Sequence, residues 1–536
     1  MEIFDLDESM EIEVVIKNYR CFPDSEPARL ILAKGFTALV GVNNSGKSSL
    51  LRFFYELRLL FEASGKDPAT LVAALQLNPR GLRLPDSVSD ANEIFNNRNT
   101  RNLEINLRLL GDVATADPGG ATELHFTLKR DTHQWIADIP RLYSAAETRS
   151  LSVDPQGNLK TPQRRIVNLR LIQEVCRQLS DVLYIGPFRN AINVGGDSNY
   201  YDIKVGQPFI AEWKTLKTGP IIEKNVAILK LTDGIRRIFE CEQLEIDASS
   251  DEKNLKVFVN NKSFRLTELG AGLSQFILVL ANAAIRRPEM ILIDEPELNL
   301  HPSLQIDFLT TLASYCRGGV VFATHSIGLA RAAASRIYSL RRLEEGKSEL
   351  RDFEGTPNLA EFVGELGFSG YHELGYDRIL LVEGPTDVTT FQQFLRMFQK
   401  DHKVVILPLG GNSLINASVG PQLSELHRIS TKITAVIDSE KRNAADPLSA
   451  SREGFVEACR SAFIECKVLA RRATENYLTE RAVKAALGES HRALSEFETL
   501  GSVTPSWSKN ENWRIAREMR KEDLDGTDLG PILDSL

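Results

Sequence analysis

The amino-acid sequence predicts an α/β protein in two parts: a P-loop domain with an inserted lobe, then a smaller parallel α/β domain. Three observations carry that expectation. The run Gly41-Val42-Asn43-Asn44-Ser45-Gly46-Lys47-Ser48 fits G-x-x-x-x-G-K-[ST] without a mismatch, and it stands between a strand-like stretch and a helical one. The apolar run Met290-Ile291-Leu292-Ile293 reads as a buried strand and ends in Asp294-Glu295. Beyond residue 375, strand and helix patterns alternate as they do in a small parallel sheet.

At 536 residues the chain is long enough for roughly three or four structural units. Hydrophobic residues at 43% and charged residues at 25% exclude wholesale disorder and collagen-like repeats. Six cysteines are scattered without a C-x-x-C pair, so reduced thiols are expected and a zinc ribbon is not. The acidic start, residues 1–7, lacks a signal-peptide layout, and no run of ~18 apolar residues occurs. A cytoplasmic protein without a membrane partner is expected. The net charge of −8 argues against a simple nucleic-acid-coating protein, which would carry a basic excess. That argument weakens once the negative charges cluster in motifs where bound Mg²⁺ would offset them.

Taken in order, residues 12–19 are rich in β-branched side chains and read as a strand, as do residues 36–40. Residues 50–60 follow as an amphipathic helix. Alternation at 103–109 and 123–128 suggests strands, and 161–183 reads as a helix returning to a strand. Residues 379–382, 403–407 and 433–437 read as strands of the second domain, with a helix over 388–398. The expected domains are therefore 1–375, with an inserted lobe within about 160–240, and 376–536.

The chemistry of the first site follows from its residue types. Glycines at 41 and 46 let backbone N–H groups turn toward phosphate oxygens, with Asn43, Asn44, Ser45 and Ser49 filling the loop and first turn. Lys47 would neutralise the β- and γ-phosphates and Ser48 would ligate Mg²⁺. Asp294 would hold that Mg²⁺ through water, and Glu295 would orient or deprotonate the attacking water. Pro296-Glu297-Leu298-Asn299-Leu300-His301-Pro302 follows at once, and a later apolar strand ends in Thr324-His325-Ser326. This set resembles the ABC-type ATPases, in the branch containing the SMC and RecF-like proteins. The resemblance makes residues 298–301 the D-loop and His325 the switch histidine. Leu269-Gly270-Ala271-Gly272-Leu273-Ser274-Gln275 departs from the usual Leu-Ser-Gly-Gly-Gln signature but resembles the version in RecF-like defence ATPases. Gly272 and Ser274 would then complete a partner subunit's ATP site, which implies a homodimer or higher homo-oligomer. No Q-loop glutamine is evident. Arg189, at the end of Tyr184-Ile185-Gly186-Pro187-Phe188-Arg189, is a candidate phosphate contact.

In the second domain, Leu381-Val382-Glu383-Gly384-Pro385-Thr386-Asp387 delivers Glu383 to a strand end and Asp387 to the first turn of the next helix. Thr434-Ala435-Val436-Ile437 ends in Asp438-Ser439-Glu440. Adjacent parallel strands would bring these carboxylates together, where their repulsion favours a bound Mg²⁺ or Mn²⁺. The pattern resembles the Toprim domain, in which Glu-Gly follows one strand and Asp-x-Asp a later one. Glu440 stands where Asp is usual, and its longer reach shifts the geometry at the second metal. An ABC-type ATPase followed by a Toprim domain resembles the OLD (overcoming lysogenisation defect) nuclease family, which includes the Gabija nuclease subunit. The resemblance spans roughly residues 11–536, is specific over 36–50, 266–326 and 378–387, and is weak over 60–260. It implies that Glu475, in Thr474-Glu475-Asn476-Tyr477-Leu478, is a further metal ligand and that Lys509 is a catalytic lysine stabilising transition-state charge.

The leading expectation is an ATP-regulated, metal-dependent endonuclease of anti-phage defence. It would act on nucleic acid, DNA before RNA, with a second defence-system protein as a further candidate partner. The competing readings are an ATPase sensor or scaffold with a degenerate Toprim module, and a RecF/SMC-like repair ATPase. The absence of sustained heptads speaks against SMC arms.

Overall fold

The computed structural model describes residues 11–41, 43–111, 120–140, 151–154, 158–161, 166–187, 200–251, 253–343, 346–353, 378–401, 403–409, 423 and 432–536. The chain forms two compact units. The first comprises residues 1–300, 311–325 and 336–353; the second comprises 301–310, 326–335 and 354–536. The expected boundary near residue 375, and Arg189, lie outside the described residues.

The first unit opens with β1 (Glu11–Lys17), β2 (Ala28–Leu32) and β3 (Gly35–Gly41), and then α1 (Lys47–Lys66). Next come β4 (Leu103–Leu110), β5 (Glu123–Lys129) and β6 (Gln134–Asp138). Strands β2, β1, β4, β5 and β6 form an antiparallel sheet in that order, and the two-residue strand Arg80–Gly81 closes its edge. Along β4 and β5 buried and half-exposed side chains alternate, as expected of a sheet with one face on the core.

The helix expected over 161–183 is shorter. α2 covers Arg170–Ser180, with β7 (Val182–Ile185) directly after it. The Asn168 side chain accepts from the Arg170 N–H, and Ile166–Val167 is already a short strand. Leu183 belongs to β7 because its neighbours must pair in the second sheet. The expected lobe contains α3 (Gly206–Thr218) and α4 (Ile222–Ile238). After a three-stranded antiparallel sheet over Leu244–Ala248, Leu255–Val259 and Lys262–Arg265 come α5 (Ala271–Arg286), β8 (Met290–Asp294), β9 (Gly319–Thr324), β10 (Arg336–Arg342) and β11 (Ser348–Asp352).

The second six-stranded sheet has the order β7-β8-β9-β3-β10-β11. The first five strands run parallel, and β11 is antiparallel to β10. Strands β8 and β9 are buried along their whole length, the continuous apolar pattern of a parallel strand covered on both faces. Helix α1 contributes Leu50, Phe53, Phe54, Leu57, Leu60 and Phe61, all at or near zero exposure, to a core that both sheets share, and Phe61 meets Phe126 of β5 edge-on at 6.1 Å. Its spacing of apolar residues explains why a helix forms and which face it buries.

The second unit contains β12 (Arg378–Val382), α6 (Pro385–Met397), β13 (Val404–Pro408), β14 (Ile433–Ile437), α7 (Ala450–Ser461) and β15 (Glu465–Val468). Its four strands are all parallel, in the order β13-β12-β14-β15. Period-two alternation divides the core between two faces. Leu380, Val382 and Val436 pack with α6 residues Val388, Phe391 and Phe394; Ile379, Leu381, Ile433, Ala435 and Ile437 pack with Phe455 and Cys459 of α7. The helix Ile327–Ala333 contributes Ala332 to the first of these cores. The buried Asp307, in the helix Pro302–Ala313, pairs with Arg396 of α6, and burial pushes the Asp307 carboxyl up to about 6 against the pull of that guanidinium.

Among the described residues, no helix is long and apolar enough to cross a membrane.

Candidate functional site

The first site is built where β3, β8 and β9 end side by side. Gly41 closes β3, and Asn44 and Gly46 take left-handed backbone conformations with φ of 60° and 103°. Glycine is needed at 46: a Cβ there would lie 2.9 Å from Cys21 Sγ and 3.1 Å from Phe22 Cζ. The loop leads into α1, whose N-cap Gly46 offers no side-chain cap, so the first-turn N–H groups stay available to an anion.

Three side chains from three strand ends meet there. Lys47 Nζ donates to the Gly41 carbonyl at 2.7 Å and lies 3.4 Å from His325 Nε2. His325 Nε2 is also 3.2 Å from Glu295 Oε1. Glu295 has φ of 53°, and its N–H donates to the Ala323 carbonyl at 2.8 Å, which fixes the turn after β8 against β9. Ser48 is hydrogen-bonded to Asp294, whose Oδ2 is buried and has no hydrogen-bond partner. Burial raises the Asp294 carboxyl above the usual carboxylate range, and Glu295 adds repulsion while Ser48 and Lys47 oppose it. Burial holds the Lys47 ammonium below the ordinary lysine range, although Asp294, Glu295 and Glu297 pull the other way. An orphaned carboxylate oxygen beside a hydroxyl and a desolvated lysine fits a Mg²⁺–nucleotide polyphosphate.

Sequence reasoning had assigned no role to two neighbours. Glu297 Oε1 accepts from Thr324 Oγ1 at 2.6 Å and from the His325 N–H at 3.0 Å, so it holds the histidine-bearing turn. Arg52, on α1, donates to the Tyr201 hydroxyl at 2.7 Å, and the Tyr201 ring packs edge-on against Tyr184 at 4.9 Å. The signal for Glu297 was present, since it lies two residues beyond the carboxylate pair. None marked the Arg52–Tyr201 contact, which joins positions far apart in sequence.

The loop with Gly272 and Ser274 begins α5. A Cβ at Gly272 would lie 2.8 Å from the Asn299 carbonyl, so this glycine is required by the chain's own neighbouring turn. Ser274 is fully buried and its hydroxyl donates to the Leu266 carbonyl at 2.9 Å. In this arrangement that hydroxyl is committed within the subunit.

The second site lies at the C-terminal ends of β12, β14 and β15. The Asp438 N–H donates to Glu383 Oε1 at 2.8 Å, joining the ends of neighbouring strands. Asp387, at the third position of α6, accepts from the Gly384 N–H at 3.0 Å. Asp438 Oδ1 accepts from the N–H and hydroxyl of Thr474, at 2.9 and 3.1 Å. Lys509 Nζ sits 3.2 Å from Glu475 Oε1 and 4.0 Å from Asp438 Oδ2. Glu475 Oε2 is buried without a hydrogen-bond partner. Glu440 is placed differently: its Oε2 accepts from Arg472 Nη2 at 2.6 Å.

Arg452 is a member that sequence reasoning missed. Its Nη2 donates to both Glu383 oxygens, at 2.9 and 3.2 Å, and its Nε donates to the Asp438 carbonyl at 2.7 Å. It sits in the first turn of α7, and nothing in its local sequence separates it from a surface arginine.

The electrostatics show how tightly the carboxylates are gathered. Burial, then repulsion from Asp438, pushes Glu383 up to about 7 despite Arg452. Burial pushes Asp387 up to about 7, with Lys509 opposing and Glu383 repelling. Burial and the Asp387 charge push Asp438 up to about 8. Burial works against the charge on Lys509, yet Glu475, Asp438 and Asp387 together hold its pKa above the ordinary lysine range. Among the described residues, no three acidic, histidine or cysteine side chains form a ready-made metal cage. Several of these oxygens are instead taken by Lys509, Arg452 and Thr474. The donor set, hard oxygens with one of them orphaned, is still the one that suits Mg²⁺ or Mn²⁺.

Residues 231–331 match the family model described as "AAA domain, putative AbiEii toxin, Type IV TA system". That stretch takes in Gly272, Ser274, Asp294, Glu295 and His325 and stops before the second site. Protein ea59 of Escherichia phage lambda is 30% identical over 160 residues, which is 26% of this chain and 30% of that protein. The chain thus spans less than a third of the length of that curated relative. Among solved structures, the SMC head bound to the C-terminal winged-helix domain of ScpA aligns at 12% identity and a TM-score of 0.37, over 64% of this chain and 97% of that one. The SMC head domain from Thermotoga maritima aligns at 14% identity and 0.32, over 64% and 98%. The Smc head with an extended coiled coil, bound to the C-terminal domain of ScpA from Pyrococcus furiosus, aligns at 12% and 0.35, over 64% and 96%. TM-scores this low add no weight to the fold. The AAA-domain match, with the P-loop at the end of a parallel strand, supports an ATPase of the P-loop class in the first unit.

Two outcomes test these sites. Lys47→Ala should weaken ATP binding by at least ~10-fold, the value of a lost charge-assisted bond, while Glu295→Gln should keep binding and slow hydrolysis by ~10²–10⁴-fold. Equilibrium nucleotide binding and phosphate release read the two separately. In the second site, a carboxyl raised to about 8 keeps its proton in the folded state long after the unfolded chain has lost it. Its contribution to stability therefore falls as pH rises from about 4 to about 8. Asp438→Asn removes that loss, so the Tm of metal-free variant minus parent should grow between pH 5 and pH 8. A difference independent of pH would mean that neither burial nor the neighbouring charges hold this carboxyl up.

Proposed function

We propose that this protein is an ATP-hydrolysing, metal-dependent nuclease of the OLD kind, acting in anti-phage defence. The observation that carries the reading is the second site: Asp387, Asp438 and Glu475 gather around Lys509 at the ends of parallel strands, and Glu383 joins them beside Asp438 and Arg452. Groups that repel one another so strongly persist where a cation is to be bound. A divalent metal held by these carboxylates would activate water and neutralise the leaving oxygen of a phosphodiester. The chain's own residues would do the rest. Arg452 holds Glu383 in place, Thr474 fixes the rotamer of Asp438, and Lys509 supplies positive charge for the phosphoryl oxygens of the transition state.

In the first unit, Lys47 and the α1 N-terminus would hold the ATP phosphates, Ser48 and Asp294 the Mg²⁺, and Glu295 with His325 the attacking water. ATP binding would shift a dimer between states and so gate the nuclease. The matched family's description as a putative toxin suits an effector that damages a macromolecule. The similarity to a phage protein suits a chain from the contest between phage and host.

A second copy of this chain is the partner we propose for α4. Ile222, Val226 and Leu229 are exposed at 76%, 43% and 59% and fall at helical spacing on one face. Exposed Glu223 and Lys230, seven residues apart, flank the same side of that stripe. Two α4 helices crossing antiparallel near Val226 would pair each Glu223 with the other copy's Lys230 while burying the stripe.

One feature favours the competing reading of a degenerate module: Glu440, at the position of a usual metal ligand, is paired with Arg472. Cleavage of plasmid DNA decides between them. The parent should cut in Mg²⁺ or Mn²⁺, and Glu383→Ala should abolish cutting; no cleavage under any nucleotide condition, or cleavage that survives the substitution, sinks the nuclease. Val226→Glu with Leu229→Glu should lower the fraction of dimer in sedimentation without changing ATP affinity, and an unaltered dimer would remove α4 from the interface.

A further inference from the structure

Glu440 raises a question that its salt bridge answers. It takes a left-handed backbone conformation, φ 54°, which costs a non-glycine residue energy unless its surroundings enforce it. The surroundings do. The Glu440 N–H donates to the Arg472 carbonyl at 2.8 Å. Arg472 returns bonds from Nη1 to the carbonyls of Glu440 and Lys441, at 3.2 and 3.1 Å, and from Nη2 to the Glu440 carboxylate at 2.6 Å. The preceding Ser439 hydroxyl donates to the Arg471 carbonyl at 2.8 Å. At the far end the Arg442 N–H and the Asn443 amide both donate to Asp446, at 3.0 and 2.8 Å. The loop after Asp438 is thus pinned at both ends.

Its two cations are nonetheless uncommitted. Among the described residues neither Lys441 nor Arg442 makes an ion pair, whereas Arg452, Arg471, Arg472 and Lys509 around them all do. Arg442 is exposed and Lys441 half-exposed. A rigid loop that carries two unpaired cations beside a buried carboxylate centre is arranged for an anion from outside. Lys441 and Arg442 lie three and four residues beyond Asp438, within ~14 Å of extended chain. That range covers a few phosphates of a strand whose charges recur at ~3.4 Å of rise.

We propose that residues 439–443 form a clamp for the phosphate backbone of a nucleic-acid strand. Lys441 and Arg442 take the phosphates flanking the one that is cut, and Glu440 serves to lock the loop through Arg472 rather than to bind metal. The substrate side of this inference rests on the nuclease reading; the binding side does not. It also assigns Glu440 a use that tolerates the longer side chain at this position, since a glutamate reaches Arg472 while its backbone stays in the strained turn.

The test uses the full chain and a fluorescent 20-base-pair DNA, with binding followed across a NaCl series. Lys441→Ala combined with Arg442→Ala should lower the slope of log K against log salt by about 1.8, the release from two duplex phosphates. Mn²⁺ affinity and turnover of a small phosphodiester, bis(p-nitrophenyl) phosphate, should stay at parent values, because neither is read by the loop. Glu440→Gln should weaken DNA binding several-fold with Mn²⁺ affinity unchanged. A parent-like salt slope in the double variant overturns the proposal. So does a ~10-fold loss of Mn²⁺ affinity in Glu440→Gln with DNA binding intact, which would make Glu440 a metal ligand. If no protein cleaves DNA but the slope still falls, the nuclease reading fails and the clamp stands.

Discussion

Parallel strand pairing is the constraint on which both sites depend. Parallel neighbours end on the same edge, so whatever follows each strand is delivered to one place. In the first unit that edge collects the loop after β3, the carboxylates after β8 and the histidine after β9, with β9 paired between the other two. In the second it collects Glu383 after β12 and Asp438 after β14, and the segment holding Glu475 follows β15. The registers are fixed by burial on both faces: a one-residue slip of β12 would exchange Leu380 and Val382 with Ile379 and Leu381 between two different cores. The chemistry is therefore positioned by apolar side chains that never touch it.

What differs between the sites is how charge is tolerated. In the first, Asp294 and Glu295 are shared among a serine, a histidine and a lysine that is itself partly desolvated. In the second, four carboxylates share Lys509 and Arg452, and burial drives three of them toward neutrality. Neither arrangement is what a stability-optimised core would choose, since buried charge is costly unless fully paired. The orphaned oxygens of Asp294 and Glu475 mark the places where that compensation is incomplete.

Much of this was legible in the sequence, for a physical reason. Motifs at strand ends are short and contiguous, so Lys47, Ser48, Asp294, Glu295, His325, Glu383 and Asp438 could be read from local pattern alone, and strand 433–437 was placed to the residue. The helix start at Arg170 was missed because Ile166–Val167 already pairs as a short strand and the Asn168 side chain accepts from the Arg170 N–H, neither of which apolar periodicity registers. Arg452 and Glu297 escaped because their meaning lies in what they hold, Glu383 in one case and the His325 turn in the other. Glu440 was legible as a carboxylate at the right spacing, but spacing along the chain carries no information about the backbone turn that swings it to Arg472. The net charge of −8 is silent in the same way: a sum over the chain says nothing of where its cations stand, such as Lys441 and Arg442 near Asp438, which make no ion pair among the described residues.

The two lysines sharpen this comparison. Lys47 Nζ rests on the Gly41 carbonyl, a neutral acceptor of its own loop, and burial lowers its pKa. Lys509 rests on Glu475 within reach of Asp438, and its pKa is raised. An ammonium held by a neutral carbonyl exchanges that bond for a phosphate at small cost, because the charge-assisted bond it gains is the stronger one. An ammonium held by carboxylates gives up more, and only a cation that takes over those carboxylates can release it. Under the proposed ATPase reading the first lysine would turn from its carbonyl to a phosphate, with Asp294, Glu295 and Glu297 still acting on its charge. Under the proposed nuclease reading the second would turn to a phosphate only when a metal arrives with it, which would couple substrate engagement in the second site to cation binding through the protein's own charges.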